Sequence, residues 1–104
     1  MKLKRISFYA IFHDGLVQLS GHEFTTGGRR LVVHKTRPIL LPVDKFYKIS
    51  EASAGFAVPI KNTKVRAEAV LFAADAMGAI SDEEWSRYVA NALALRRSLK
   101  IVQG

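Results

Sequence analysis

The sequence predicts an α+β domain: an antiparallel β-sheet of four to six strands followed by two C-terminal helices packed on one face. Three observations predict it. Residues 5–12 alternate in period two, as a half-buried strand does. Turn residues then recur between short β-branched segments as far as Ile60. After Asn62 the composition becomes helical, and strands followed by helices are the signature of α+β architecture. The chain has 104 residues, enough for one domain. Residues 1–61 form its β-rich basic part and residues 62–104 its helical hairpin.

In the first strand Ile6, Phe8, Ala10 and Phe12 point one way, and Ser7, Tyr9 and Ile11 the other. Asp14 and Gly15 supply a tight hairpin turn. Leu16 to Phe24 is the partner strand, with Gly21 placed for a bulge. Thr25 to Gly28 is a loop, and Arg30 to Thr36, rich in β-branched residues, is a third strand. Pro38 and Pro42 bracket Ile39–Leu41, which reads as an edge strand or extended loop because proline donates no ladder hydrogen bond. Phe46 to Ser50 and Gly55 to Ile60 form a second hairpin across a four- or five-residue loop.

The first helix spans Thr63 to Met77, with Asn62 or Thr63 capping its start and Gly78 suited to its end. Ser81 and Glu84 form a capping box at the start of a second helix over residues 82–100. Asp82, Glu83 and Glu84 complement the positive end of its dipole, and Arg96, Arg97 and Lys100 the negative end. Trp85, Tyr88, Val89, Ala92, Leu95 and Leu99 make one apolar stripe, read as core. Arg96 falls within the stripe and is expected to snorkel at its edge or to meet Asp75. The first helix is apolar nearly all round at residues 69–74, so a partner subunit is expected to cover one side. Val70, Leu71 and Phe72 are the expected surface of a homodimer.

The chain contains no cysteine, which excludes disulfides, thiolate metal sites and a cysteine nucleophile. His13, His22 and His34 have no metal-ligand spacing and read as surface or turn residues. No serine lies in a nucleophile elbow, and Thr26–Arg30 precedes a strand where a phosphate loop would precede a helix. No catalytic residue, metal or cofactor is therefore expected. The start of the chain has basic residues before apolar ones but no cleavage site, and no stretch is long enough for a membrane span. A cytoplasmic location is expected.

What remains is charge. The formal net charge is +7, and it is uneven. Residues 1–66 carry twelve basic and four acidic side chains; the remainder carries four and five. Lys4, Arg5, Arg29, Arg30, Lys35, Arg37, Lys45 and Lys48 are expected to form one outward patch that binds a partner, with Lys61, Lys64 and Arg66 leading into the first helix. The partner is an acidic protein surface, a nucleoprotein or a nucleic acid.

Residues 47–58, reading Tyr47-Lys48-Ile49-Ser50-Glu51-Ala52-Ser53-Ala54-Gly55-Phe56-Ala57-Val58, precede Thr63 and the segment Arg66-Ala67-Glu68-Ala69. This stretch resembles the short strand–turn–strand–helix modules of small phage and mobile-element accessory proteins. The resemblance implies a non-enzymatic protein that binds and blocks a macromolecular partner, including host-defence inhibitors of the anti-CRISPR kind. Direct nucleic-acid binding through the basic surface is the alternative.

Overall fold

The structure is a computed structural model that describes residues 2–35 and 46–102. It is α+β. Five antiparallel strands run in sequence order, β1 (Lys4–Phe12), β2 (Gly15–Thr26), β3 (Arg29–Lys35), β4 (Tyr47–Glu51) and β5 (Ala57–Val58). Two helices follow, α1 (Arg66–Gly78) and α2 (Asp82–Arg96). The segment of Pro38 and Pro42, with Arg37 and Lys45, lies outside the described residues.

The first hairpin turns one residue earlier than the expected Asp14–Gly15. Phe12 pairs with Gly15, so His13 and Asp14 are the turn. Gly21 pairs regularly with Ile6, and no bulge forms. Instead a Cβ at position 21 would press on Val32 and the Val33 carbonyl, so the glycine admits close approach of β3. Gly27 and Gly28, both at positive φ, make the two-residue turn into β3. The second hairpin is closed from inside by Glu51. Its carboxylate accepts from the Ser53 amide (2.7 Å), the Ser53 hydroxyl (2.5 Å) and the Ala54 amide (2.6 Å).

The sheet curls. The Phe8 and His34 rings lean together across Gly21 to 5.2 Å, although β2 separates their strands. The Ile11 amide donates to the Gly55 carbonyl at 2.8 Å, joining the first strand to the turn before the last. Gly55 sits at φ +81°, and a Cβ there would collide with the Tyr9 carbonyl oxygen. Only glycine satisfies both the backbone conformation and the seam.

Both faces are therefore cores. The concave face holds Phe8, Ala10, Val17, Leu19 and Val32. The convex face buries Phe24, Leu31, Val33, Ile49 and Val58 against Ala69, Val70, Ala73 and Met77 of α1. Burying each large side chain contributes about 1.5–3 kcal/mol. β3 pairs only with residues 22–26 of β2, so the start of β2 keeps an open edge. The chain end takes part of it: the Leu16 amide donates to Lys100 O (2.8 Å) and the Val102 amide to Leu16 O (2.7 Å).

The helices correct several expectations. The start of α1 is held by Thr63, whose hydroxyl accepts from the Val65 amide (3.0 Å) and donates to Glu68 (2.7 Å). Only one stripe of α1 is buried. Val70 belongs to the core at 9% exposure and is withdrawn from the expected dimer surface; Leu71 is 64% exposed and Phe72 half-buried. The Ser81 cap forms as expected, accepting from the Glu84 amide at 3.1 Å. α2 ends at Arg96, and of its apolar stripe only Ala92 is buried. Trp85, Val89 and Leu99 are half-buried, while Tyr88 and Leu95 are exposed. The reason is placement: Trp85 packs on Phe56 and Arg96 reaches the Ser53 carbonyl, so α2 meets the β4–β5 turn rather than the broad sheet. Arg96 meets the carbonyls of Ser53 (3.1 Å) and Tyr9 (3.4 Å), not Asp75.

Candidate nucleic-acid interface

Adjacent strand residues face opposite sides, and this divides the basic residues. Arg29 and Arg30 show it most directly. Arg29 turns to the convex side and is buried, at 7% exposure, beneath the α1–α2 connection. Its guanidinium donates to Met77 O (3.0 Å), Ile80 O (2.6 Å) and Asp82 (3.1 Å), and stands 5.2 Å from the centroid of the Trp85 ring. It is a structural cation, and the expectation that it meets a partner is corrected. Arg30 turns the other way and is exposed, but Glu23 accepts from its Nη2 (2.6 Å) and Nε (3.0 Å).

Lys4 and Lys48 share Arg30's face: Lys4 is the cross-strand neighbour of Glu23, and Lys48 of His34. The expected single patch is thus split by the pleat. Arg37 and Lys45 lie outside the described residues.

Arg5 and Lys35 are brought together. The register sets Arg5 beside His22 and His22 beside Val33, and sets Lys35 beside Tyr47. All are on the convex face. There α1 begins, because the Tyr47 amide donates to Thr63 O at 2.9 Å and so delivers Arg66 to the same place. The result is a cavity of about 220 Å³ whose walls include Arg5, Ser20, His22, Lys35, Tyr47 and Arg66. Among the described residues no acidic side chain lines it. The Lys35 ammonium stands 4.1 Å from the Tyr47 ring centroid. Among the described residues neither Arg5 nor Arg66 enters an ion pair. Two guanidinium forks and an ammonium around one concavity suit the oxygens of a phosphate, which guanidinium binds in bidentate fashion.

His22 was absent from the expected interface, and Arg66 stood only among the basic residues before the first helix. The register of the first hairpin places His22 beside Arg5. Arg66 joins only through the tertiary path of residues 61–65, which no local pattern encodes.

The concave side holds a different arrangement. His34 is buried, against the expectation of a surface or turn residue. Its Nδ1 lies 2.7 Å from Lys35 O and its Nε2 2.8 Å from Ser50 Oγ. A carbonyl can only accept, so Nδ1 carries the proton and Nε2 accepts from the Ser50 hydroxyl. Burial lowers the His34 pKa below its ordinary value of 6.5; the bond to Lys35 opposes this and the Lys48 charge adds to it. The pair adjoins a cavity of about 440 Å³ between the end of β1 and β4–β5, walled largely by Phe12, Ile49, Val58 and Ile60. Both ring nitrogens and the hydroxyl proton are committed to each other and to the backbone, so the pair is a satisfied core element.

Among the described residues no helix is long and apolar enough to cross a membrane, and no group of metal-ligating side chains assembles. No family model, no curated protein and no solved structure matches the chain significantly.

Proposed function

We propose that this chain is a non-enzymatic binding protein that holds a nucleic acid, free or within a nucleoprotein, through the convex groove of Arg5, Lys35 and Arg66. One observation supports the reading: three cations from three different elements line one concavity, and among the described residues no carboxylate stands in its wall. The role implied by the phage-like segment, occupation of a cytoplasmic host-defence nucleoprotein, belongs to this proposal, with the nucleoprotein's phosphates as the point of contact.

The test is anisotropy of a labelled oligonucleotide across a salt series. Phosphate contacts release counterions, so affinity falls steeply with salt, and each cation lost flattens the log–log slope by roughly one unit. Arg5→Ala with Arg66→Ala lowers affinity about ten-fold or more and flattens the slope by about two. Arg30→Ala, on the opposite face, leaves both unchanged. An affinity indifferent to Arg5 and Arg66 removes the reading.

A protein partner is the second reading, favoured by Tyr88, Leu93 and Leu95 standing exposed on α2. Binding of that kind survives nuclease treatment and moderate salt. A homodimer through α1 would rest on Leu71 and the open edge of Phe72. Sedimentation is its measure: Leu71→Asp converts two-chain particles to single chains, and a wild type already single at high concentration ends the idea.

A further inference from the structure

We propose that the nucleic acid is a single strand, laid along the convex face of β1 and β2 from the groove to Tyr9. The inference rests on the groove reading and adds what the strand touches beyond it.

α1 packs against β3 and β4, and among the described residues the outer face of the first hairpin meets a helix only at its Tyr9 end, where Arg96 of α2 reaches it. Along that face Ser7 pairs with Ser20 and Tyr9 with Gln18. Ser7, Gln18 and Ser20 are exposed and Tyr9 is half-buried. None of the outward residues of β1 and β2 between Arg5 and Tyr9 is acidic. Cations mark both ends of the path. Arg5, Lys35 and Arg66 stand at one end. At the other, the Arg96 guanidinium lies 5.9 Å from the Tyr9 ring centroid. From Arg5 to Tyr9 is four residues of strand, roughly 13 Å. A base on this face meets an aromatic ring and a guanidinium plane, the two surfaces on which unpaired bases stack. Hydroxyl and amide groups between the ends offer hydrogen bonds to exposed base edges.

A duplex fits poorly. Duplex sequence is read by an element placed in a groove between two phosphate ridges. Both helices expose carboxylates, Glu68 and Asp75 on α1 and Asp82 and Glu83 on α2, and phosphates repel them. The groove and the strip beyond it form a sheet face with an aromatic residue, which suits bases already unstacked.

The experiment compares three probes by anisotropy or competition: a short labelled oligothymidylate, a DNA duplex of equal length, and inorganic polyphosphate matched in charge. The oligothymidylate is expected to bind about ten-fold more tightly than either of the others, because only it stacks. Tyr9→Leu weakens oligothymidylate about five-fold or more and leaves polyphosphate unchanged, while Tyr9→Phe keeps the ring and the affinity. Should Tyr9→Leu fail to fold, amide chemical shifts of the wild type decide the matter. Added oligothymidylate moves Ser7 and Gln18, with Leu93 on α2 unmoved. Equal affinity for oligothymidylate and polyphosphate, a preference for duplex, or no shift at Ser7 and Gln18 overturns the single-strand proposal and leaves the groove standing. Failure of all three probes to bind overturns the groove reading itself.

Discussion

His34 and Arg29 show how one side chain's surroundings fix its role. The His34 ring is neutral in the fold, and its folded pKa is depressed below the 6.5 at which it titrates when unfolded. The unfolded chain therefore takes up the proton first as pH falls. Stability contributed by the neutral ring is present above pH 6.5 and lost below it, by at most about 1.4 kcal/mol per pH unit. Denaturant titrations are expected to give a lower stability at pH 5 than at pH 7.5, and His34→Gln to abolish that loss whatever its own stability. Arg29 donates to the carbonyls of Met77, in the last turn of α1, and of Ile80, just beyond it. Arg29→Ala is expected to cost about 3 kcal/mol, read as a shift of the denaturation midpoint. Lysine does not rescue it, since its ammonium has no fork. Asp82, with a side chain 98% exposed, is a minor member of that cluster, and Asp82→Asn is expected to leave stability nearly unchanged.

Among the elements, the β4–β5 hairpin is the one on which others depend. Glu51 ties its turn from within, Gly55 accepts from β1, and Ser53 accepts from Arg96 of α2. Gly55→Ala must strain a positive φ and drive a methyl group into the Tyr9 carbonyl. It is expected to cost about 3 kcal/mol and to open the seam between β1 and the turn, seen as faster hydrogen exchange at Ile11. The α2 cap is a lesser matter. Ser81→Ala removes one acceptor at an exposed helix start and is expected to cost about 1 kcal/mol.

Over the whole molecule, curling of the sheet creates an inner core, an outer core and one outer strip. α1 docks on β3 and β4, and among the described residues the strip on β1 and β2 stays exposed at Ser7, Gln18 and Ser20. The chain end completes the inner core through Val102 and occupies the edge at Leu16. Ending the chain after Leu99 is expected to cost about 2 kcal/mol, roughly 10 °C in Tm by calorimetry. The proposed nucleic-acid binding is expected to survive this truncation, because the groove is built from other elements.

Much of this architecture is legible residue by residue. Period-two alternation located β1, turn chemistry located the β1–β2 turn to within one residue and the β4–β5 turn, and the Ser81–Glu84 pair fixed the start of α2, because each signal is local. The charge asymmetry is legible too, and it is a property of composition alone. What composition cannot supply is the side to which each cation points. A one-residue step moves a side chain through the sheet, so neighbours Arg29 and Arg30 part company, and the supposed single patch becomes a buried clamp, a Glu23 pair and a groove. Arg66 enters that groove, and Val70 leaves the surface, only because α1 docks on β3 and β4. The sequence by itself determined which segments would be strands and helices and how much positive charge they would carry, since backbone preference and formal charge reside in each residue. The tertiary structure alone decided which charges meet, since that depends on pleat, register and docking across positions far apart in the chain.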